Sequence, residues 1–381
     1  LEDAAPDVLD STIYNCSEDG LSGDSGALSK ALWILSGNTI QDCDGDGVDV
    51  IGETEVEVIG ATITGNGGRG LDIDGSPNVV TVTDATVSNN GGSGLYVSSG
   101  STGFRLLDST IQNNGVDGVN VTQGGTDIRM ERLLVSGNTE EGIEVGGGVE
   151  VVLLKSTITG NGRGLRIGSP RLVGAYNTIS GNTGDMVGGY EGTAIEYHSG
   201  SGVPAVIGMS DIDNLVDYEV YLTSTRALNA RRNFWGVTTT DNMDLAGFPA
   251  DLGEFWDIRD DRSSGLIDYD NWAAASVAGS APGDLAAHLT WPASGASFDV
   301  HSLIVTGVAY ATDGIDRVEV CVRQAGDPAC GDGGGETPYG VVTGMEAWTF
   351  EWFPPASGTF YLEARVVAVG EIKSLPLSLI H

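Results

Sequence analysis

Across the first 236 residues, apolar and polar positions alternate in short bursts, and the bursts recur in a fixed order. The register is set by the apolar residue of a Thr-Ile or Thr-Val pair, or its equivalent. These anchors are Ile13, Ile40, Ile63, Val87, Ile111, Val135, Ile158 and Ile179, at steps of 27, 23, 24, 24, 24, 23 and 21 residues. Three places after the anchor stands Asn in six copies: Asn66, Asn90, Asn114, Asn138, Asn161 and Asn182. Seven places after it most copies have Gly, as at Gly47, Gly70 and Gly94, and the eighth place is apolar, from Leu21 and Val48 to Val187. Another apolar residue follows two places on, as at Val50, Ile73 and Val97. Upstream lies a third apolar pair, such as Trp33/Leu35, Val56/Val58 and Phe104/Leu106. Alternation at a period of two predicts strands, so each copy predicts three short strands between polar turns, and no copy has a helical period.

A coil of three short strands buries its apolar positions only by stacking on the next coil. Stacked coils form parallel sheets with rungs about 4.8 Å apart, and parallel crossovers are right-handed. The expected fold is all-β: a right-handed parallel β-helix, followed by a different β-domain. Residues 6 to about 236 resemble the right-handed parallel β-helix of the pectate-lyase-like superfamily. The resemblance implies a buried ladder in which each Asn side chain bonds its neighbours. It does not fix the chemistry, because this fold hosts many functions.

The stretch Asp42, Asp44, Asp46, Gly47, Glu53 has the spacing of a helix–loop–helix calcium loop. Yet it falls in register as an ordinary copy: Ile40 is the anchor, and Val48 and Val50 are strand residues. The helices such a loop needs are absent. Arg69 occupies the turn place of Asp46 on the next rung, so the two are expected to pair. Two readings of Asp42, Asp44 and Asp46 stay open: solvated Asp-Gly turns, or a calcium ion held in a non-helical loop. No other cofactor is expected. The Asn place of the first two copies holds Cys16 and Cys43. Rung spacing lies within disulfide range, so these two are expected to be bonded.

Gly accounts for 58 of the 381 residues, consistent with many tight turns. The formal charge is −35, from 53 acids against 18 bases. Such a surface repels nucleic acid and anionic membranes. It suits cations and a salty medium, where ions screen self-repulsion. No apolar run reaches membrane-spanning length. The sequence opens without Met or a signal peptide, which is read as a processed or trimmed form, or a segment of a longer array.

The pattern degrades after Gly189. "MSDIDNLVDYEVYLTS" reads as one more coil, with Ile212, Val220 and Leu222 inside. "NARRNFWGVTT" and the Asp-rich turns after it resemble the C-terminal end of secreted β-helix repeat proteins. Residues 237–272 are therefore expected to cap the coil (1–236), with Phe234, Trp235, Phe255, Trp256 and Trp272 covering the last open rung. An aromatic sugar platform is the other reading of that group. Residues 273–284 read as a small-residue linker. Residues 285–381 carry about seven short strands with turn signals. "VTGVA", "VEVCV" and "WTFEWFPP" resemble the immunoglobulin-like modules of bacterial surface proteins, which implies a β-sandwich. Cys321 and Cys330 bracket a turn they are expected to close. Each Cys stands alone and the four His are scattered, which is no zinc pattern. Two Cys pairs point to an oxidising, extracellular compartment.

In pectate-lyase-like enzymes the substrate lies along one exposed sheet. The matching outward stripe here is Asp49, Asp72, Tyr96, Asn120, Glu144 and Arg166. Asp49 and Asp72 are neighbours, but Arg166 lies four rungs from Asp72, and Glu144 and Arg166 are expected to form a salt bridge. No nucleophile–His–acid group is visible in the sequence, and the turns are short and uniform. The stripe is thus expected to bind rather than catalyse, and no catalytic residue is assigned. The expected function is a secreted cell-surface or filament protein, structural or adhesive, with copies of itself, a surface polysaccharide or a surface protein as partner. The other class is a secreted lyase or hydrolase of acidic polysaccharide.

Overall fold

The computed structural model describes residues 7–24, 32–52, 55–75, 79–98, 103–122, 127–148, 150–168, 170–183, 192–198, 204–214, 218–277, 285–291, 302–312, 314–331, 337–355, 357–369 and 377–380. Leu1, Glu53, Val187, residues 278–284 of the linker and His381 lie outside them.

The repeats wind into a parallel β-solenoid with three sheets. Sheet A has eleven strands, from Asp7–Leu9 to Ile267–Asp268. Sheet B has nine, from Thr12–Tyr14 to Asp211–Asp213, and sheet C has ten, from Leu21–Asp24 to Phe255–Trp256. The anchors stack in one column of sheet B: Ile13 on Ile40, Ile40 on Ile63, Ile63 on Val87, and so on to Ile179 on Ile212. From Ile40 to Ile212 these side chains are fully buried. Each contributes about 1.5–3 kcal/mol of burial.

The glycine column has a steric cause. A Cβ on Gly47 would stand 2.6 Å from the Gly70 carbonyl oxygen and 2.5 Å from Ile63 Cγ2. The turn therefore closes onto the next rung only with no side chain at that place.

The coil runs beyond residue 236. Phe255–Trp256 and Ile267–Asp268 extend sheets C and A by pairing with Val220–Leu222 and Leu228–Asn229. Where sheet B would continue, an eleven-residue helix, Gly236–Ala246, closes the rung instead. The strand-only reading of this region did not anticipate it. Trp235, Met243, Phe255 and Tyr269 are buried in the solenoid core, and Trp272 packs against it half-buried. Phe255 stacks on Tyr269 and meets Trp235 edge-on, with centroids 5.2 and 4.8 Å apart.

The described residues between 285 and 380 form two antiparallel four-stranded sheets and a two-stranded ladder. One sheet orders Leu285–Trp291, Leu303–Ala311, Ala347–Trp352 and Thr343–Gly344. The other orders Gly340–Val341, Ile315–Gln324, Phe360–Ala368 and Leu377–Ile380. Leu289, Val305 and Trp348 share a core with Val318, Leu362 and Val366. Cys321 is bonded to Cys330, as Cys16 is to Cys43.

The two parts touch. Val152, Leu154, Val173, Tyr176 and Met209 of the solenoid form one apolar cluster with Ala286, Val308 and Tyr310. The described start of the linker is tied down: Ala273 N donates to Asn233 O at 2.8 Å, and Val277 N to Asp211 Oδ1 at 2.6 Å.

Candidate functional site

The Asn column is a continuous internal ladder. Asn90 N and Nδ2 both donate to Asn114 Oδ1, at 3.2 and 3.0 Å. Asn114 repeats this toward Asn138, and its Nδ2 also reaches Val87 O at 3.4 Å. Each amide thus fills both acceptor sites and both donors. The ladder begins at Cys43, whose N–H donates to Asn66 Oδ1 (3.1 Å). It passes through Asn161 and Asn182 to Asn214, and ends on Glu219 Oε2, 3.0 Å from Asn214 N.

A second, mixed ladder stands three places further along the same turn. Asp19 Oδ1 accepts from Asp46 N (2.8 Å), and Asp46 Oδ1 accepts from Arg69 N (2.5 Å). Asp117 Oδ1 accepts from Glu141 N (3.2 Å), and Arg163 Nη1 reaches Glu141 Oε1 at 2.9 Å. The expected Asp46–Arg69 ion pair is corrected here. Only the Arg69 backbone meets Asp46; its guanidinium pairs with Asp72 at 2.6 Å and lies 3.5 Å over the Tyr96 ring. Asp42 sits at φ 58°, in a column of left-handed residues shared with Asn89 (56°), Asn113 (55°) and Gly65 (70°). Asp tolerates that conformation better than most residues, so the turn itself accounts for Asp42. Asp44 is exposed beside it.

The outward stripe is contiguous on sheet C. Asp49 pairs with Asp72, Asp72 with Tyr96, Tyr96 with Asn120, Asn120 with Glu144, and Glu144 with Arg166. Burial first, then the Asp72 charge, raises the Asp49 carboxyl to about 6. Burial also raises Asp72, against the opposing Arg69. Glu144 pairs with Arg166. Asn120 Nδ2 donates to both Asp117 and Glu144 at 2.7 Å. Donor oxygens of Asp117, Glu141 and Glu144 lie within 4.8 Å of one another. Burial, then a hydrogen bond with Asp117, pushes Glu141 well above the usual carboxylate range. The raised Glu141 carboxyl and the Arg163 and Arg166 side chains therefore offset the crowded charge.

The sequence reading stopped the stripe too early. The column continues from Arg166 to Glu196, Tyr221 and Trp256. At this end stand groups that the sequence did not bring together. His198 is hydrogen-bonded through Nδ1 to Thr223 Oγ1 and through Nε2 to Glu196 Oε1. The expected absence of a hydroxyl–His–acid group is thus corrected. Burial alone would raise Glu196, but the His198 hydrogen bond and Arg163 outweigh it and hold the carboxyl low. The rings of Tyr218, Tyr221 and Trp256 lie 5.4, 5.7 and 6.2 Å apart. Tyr218 and Trp256 are half-buried. Of the aromatic residues read as a cap, Trp256 alone joins this outer group, whereas Trp235 and Phe255 are interior. The signal was available: aligning Ile195 with Val220 puts His198 beside Thr223.

A cleft of about 490 Å³ lies between sheet A and the second domain, lined by Arg105, Arg129, Arg132, Glu131, Glu150 and Glu346. Its charges are largely met within the protein, Arg129 by Glu131 and Glu346, and Arg132 by Asp108 and Glu131.

Among the described residues no helix is long and apolar enough to cross a membrane. The two disulfides fit an oxidising compartment. Comparison with known families gives two matches. A family described as "Right handed beta helix region" matches residues 70–234, and one described as "Periplasmic copper-binding protein (NosD)" matches residues 6–116. No curated protein and no solved structure matches the chain. The first description carries the right-handed sense expected of parallel crossovers.

Copper calls for imidazole, thiolate or thioether ligands. Residues 6–116 contain no His and no Met, and their two Cys are bonded to each other. His198 is engaged by Glu196 and Thr223, and His288 by Tyr176. The carboxylate group of Asp117, Glu141 and Glu144 offers hard oxygen donors, suited to calcium or magnesium rather than copper. Among the described residues, these groups do not fit a copper centre.

Proposed function

We propose that this chain is an extracytoplasmic β-solenoid rod that binds a surface ligand without catalysis, through the end of sheet C around Trp256. One contrast carries the reading. The carboxylates along the middle of the stripe are engaged by protein partners, Asp72 by Arg69 and Glu144 by Arg166 and Asn120, and Glu141 of the adjoining turn is engaged by Arg163. The half-buried rings of Tyr218 and Trp256 instead pack on the buried Tyr221 beside polar groups, the mix of aromatic and polar lining that small-ligand sites use. The disulfides and the match of residues 6–116 to a family described as periplasmic support an extracytoplasmic location. The two antiparallel sheets with one core support an immunoglobulin-like spacer. Filament growth through the coil's C-terminal end is not favoured, because Trp235, Phe255 and the helix cover that rung. The test is titration with cellohexaose, mannohexaose and xylohexaose, followed by tryptophan fluorescence. Saturable change that disappears in Trp256→Ala is expected. No change with any of them, or change that survives Trp256→Ala, removes this assignment.

A second reading has its own observation. With Nε2–H of His198 directed at Glu196, Nδ1 accepts from the Thr223 hydroxyl, which is the arrangement of an activated nucleophile. It supports a hydrolase. Ester or glycoside hydrolysis that is lost in both His198→Ala and Thr223→Val would establish it over the binding reading.

A further inference from the structure

One turn column of the solenoid changes character along its length. Three places before each anchor, the backbone is left-handed on every described rung. The first five residues there are Asp10, Gly37, Gly60, Asp84 and Asp108, and the next five are Arg132, Lys155, Tyr176, Met209 and Arg232. Gly and Asp enter this conformation at low cost, whereas long or bulky side chains do so against steric opposition. Nothing in the coil's own winding requires the change, since the earlier rungs turn the same corner with Gly and Asp. Unfavourable backbone of this kind persists where surrounding contacts hold it.

The contacts lie on the second domain. Arg132 Nη1 donates to Tyr310 Oη at 2.7 Å, and Lys155 Nζ lies 3.9 Å over the Tyr310 ring. Tyr176 Oη and His288 Nδ1 are 2.7 Å apart. Met209 is buried in the apolar cluster with Val308 and Tyr310. Arg232 is close enough to His288 for its charge to act with burial in lowering that imidazole. The adjacent outward column of sheet A turns apolar on the three middle rungs of this stretch, those of Lys155, Tyr176 and Met209. Thr81, Arg105 and Arg129 give way to Val152 and Val173, which are 6% and 2% exposed. Two columns thus change on overlapping rungs, one in backbone cost and one in polarity.

We propose that these rungs are a dedicated docking seat, and that the two described antiparallel sheets are held on it permanently through His288, Val308 and Tyr310, so that rod and second domain move as one rigid body. The domain is then a fixed side arm at a set angle, rather than a spacer swinging on residues 273–284. The seat reads its partner through an aromatic hydroxyl and ring at Tyr310, an imidazole at His288 and an apolar patch at Val308.

The seat makes a prediction opposite to simple strain relief. Gly at Lys155 or Tyr176 removes an unfavourable backbone state but also the contacts with Tyr310 and His288, so the second domain should come loose. Spin labels at the exposed positions Glu140 and Glu351, introduced as Glu140→Cys and Glu351→Cys, report the angle by pulsed dipolar spectroscopy. A single narrow distance distribution is expected for the otherwise unchanged chain. Several-fold broadening is expected in Lys155→Gly/Tyr176→Gly and none in Asp84→Gly, which lies in the same column away from the seat. Tyr310→Ala probes the contact from the other side and should also broaden it, so the test survives if the double Gly variant does not fold. A broad distribution in the unchanged chain, or a narrow one in both Lys155→Gly/Tyr176→Gly and Tyr310→Ala, overturns the proposal.

Discussion

Asn214 hands the internal Asn ladder to a carboxylate: its backbone N–H donates to Glu219 Oε2 at 3.0 Å, and Glu219 Oε1 accepts from Thr239 Oγ1 of the capping helix at 3.4 Å. Glu219 is 1% exposed, and burial raises its carboxyl from 4.5 to about 8, opposed by the Asn214 hydrogen bond. The native state therefore binds this proton more tightly than the unfolded chain. The stability it contributes is full below pH 4.5 and is lost as pH rises through 8. Glu219→Gln keeps an acceptor for Asn214 and has no proton to lose. The variant should gain on the parent across that window, on the order of a few kcal/mol at its alkaline end. Urea unfolding of both proteins at several pH values measures the difference. Parallel pH profiles would refute it.

Asn114→Ala removes the acceptor of Asn90 N and Nδ2 and the donor to Asn138 Oδ1 and Val87 O. The neighbouring amides are buried and have no route to water. A loss of about 1–3 kcal/mol is expected. A shift of the denaturation midpoint with unchanged slope would measure it, and a variant as stable as the parent would contradict the ladder's energetic role.

The solenoid was legible because stacking forces equivalent places into columns, so one residue type at one offset, as from Asn66 to Asn182, reports the register directly. A second turn ladder was not, because different residues serve the same bond. Ser109 Oγ accepts from Ala85 N, Ser156 Oγ from Leu133 N, and Asn177 Oδ1 from Ser156 N. The docking seat left a mark in "EVVLL": a strand apolar at successive places is buried on both faces. The group around His198 was hidden because the steps between copies lengthen after Ile179, to 33 residues by Ile212. The helix Gly236–Ala246 has almost no amphipathic pattern, so no apolar stripe signalled it.

The Cys16–Cys43 bond closes a loop of sequence separation 27 at the first rungs, where Ile13 is only half-buried. Limiting the unfolded chain in this way is worth about 2–4 kcal/mol. Cys16→Ser/Cys43→Ser should lose that amount and expose the rungs around Ile13 first in hydrogen exchange. Unchanged protection there would show that the ladder alone holds the rung.

Net charge of −35 makes stability depend on ionic strength. The melting temperature should rise with NaCl. Asp46 and Asp19 already cap backbone N–H groups, and Asp42 serves the left-handed turn. At this turn calcium should therefore add nothing beyond NaCl of equal ionic strength. A further rise at low millimolar calcium that vanishes in Asp44→Asn would assign an ion to this turn.

The middle of sheet C should not turn over substrate. Abstraction of a proton from a uronate needs a free base beside a group that neutralises the sugar carboxylate. Arg166, the one Arg of the original stripe, is held by Glu144, and Asp72 by Arg69; Asp49, the remaining carboxylate, faces the Asp72 charge rather than a cation. Freeing Arg166 would leave Glu144 without its ion pair in a half-buried setting, where burial already raises its carboxyl. A polyuronate would also meet strong negative charge. Purified protein should give no unsaturated product and no reducing ends from alginate or pectate, with or without calcium. Asp72→Ala and Arg166→Ala should change stability but leave oligosaccharide binding at Trp256 within a few-fold, because that ring cluster lies two or more rungs away along the sheet. Product formation that disappears in Arg166→Ala would move the function from holding a surface ligand to cleaving one.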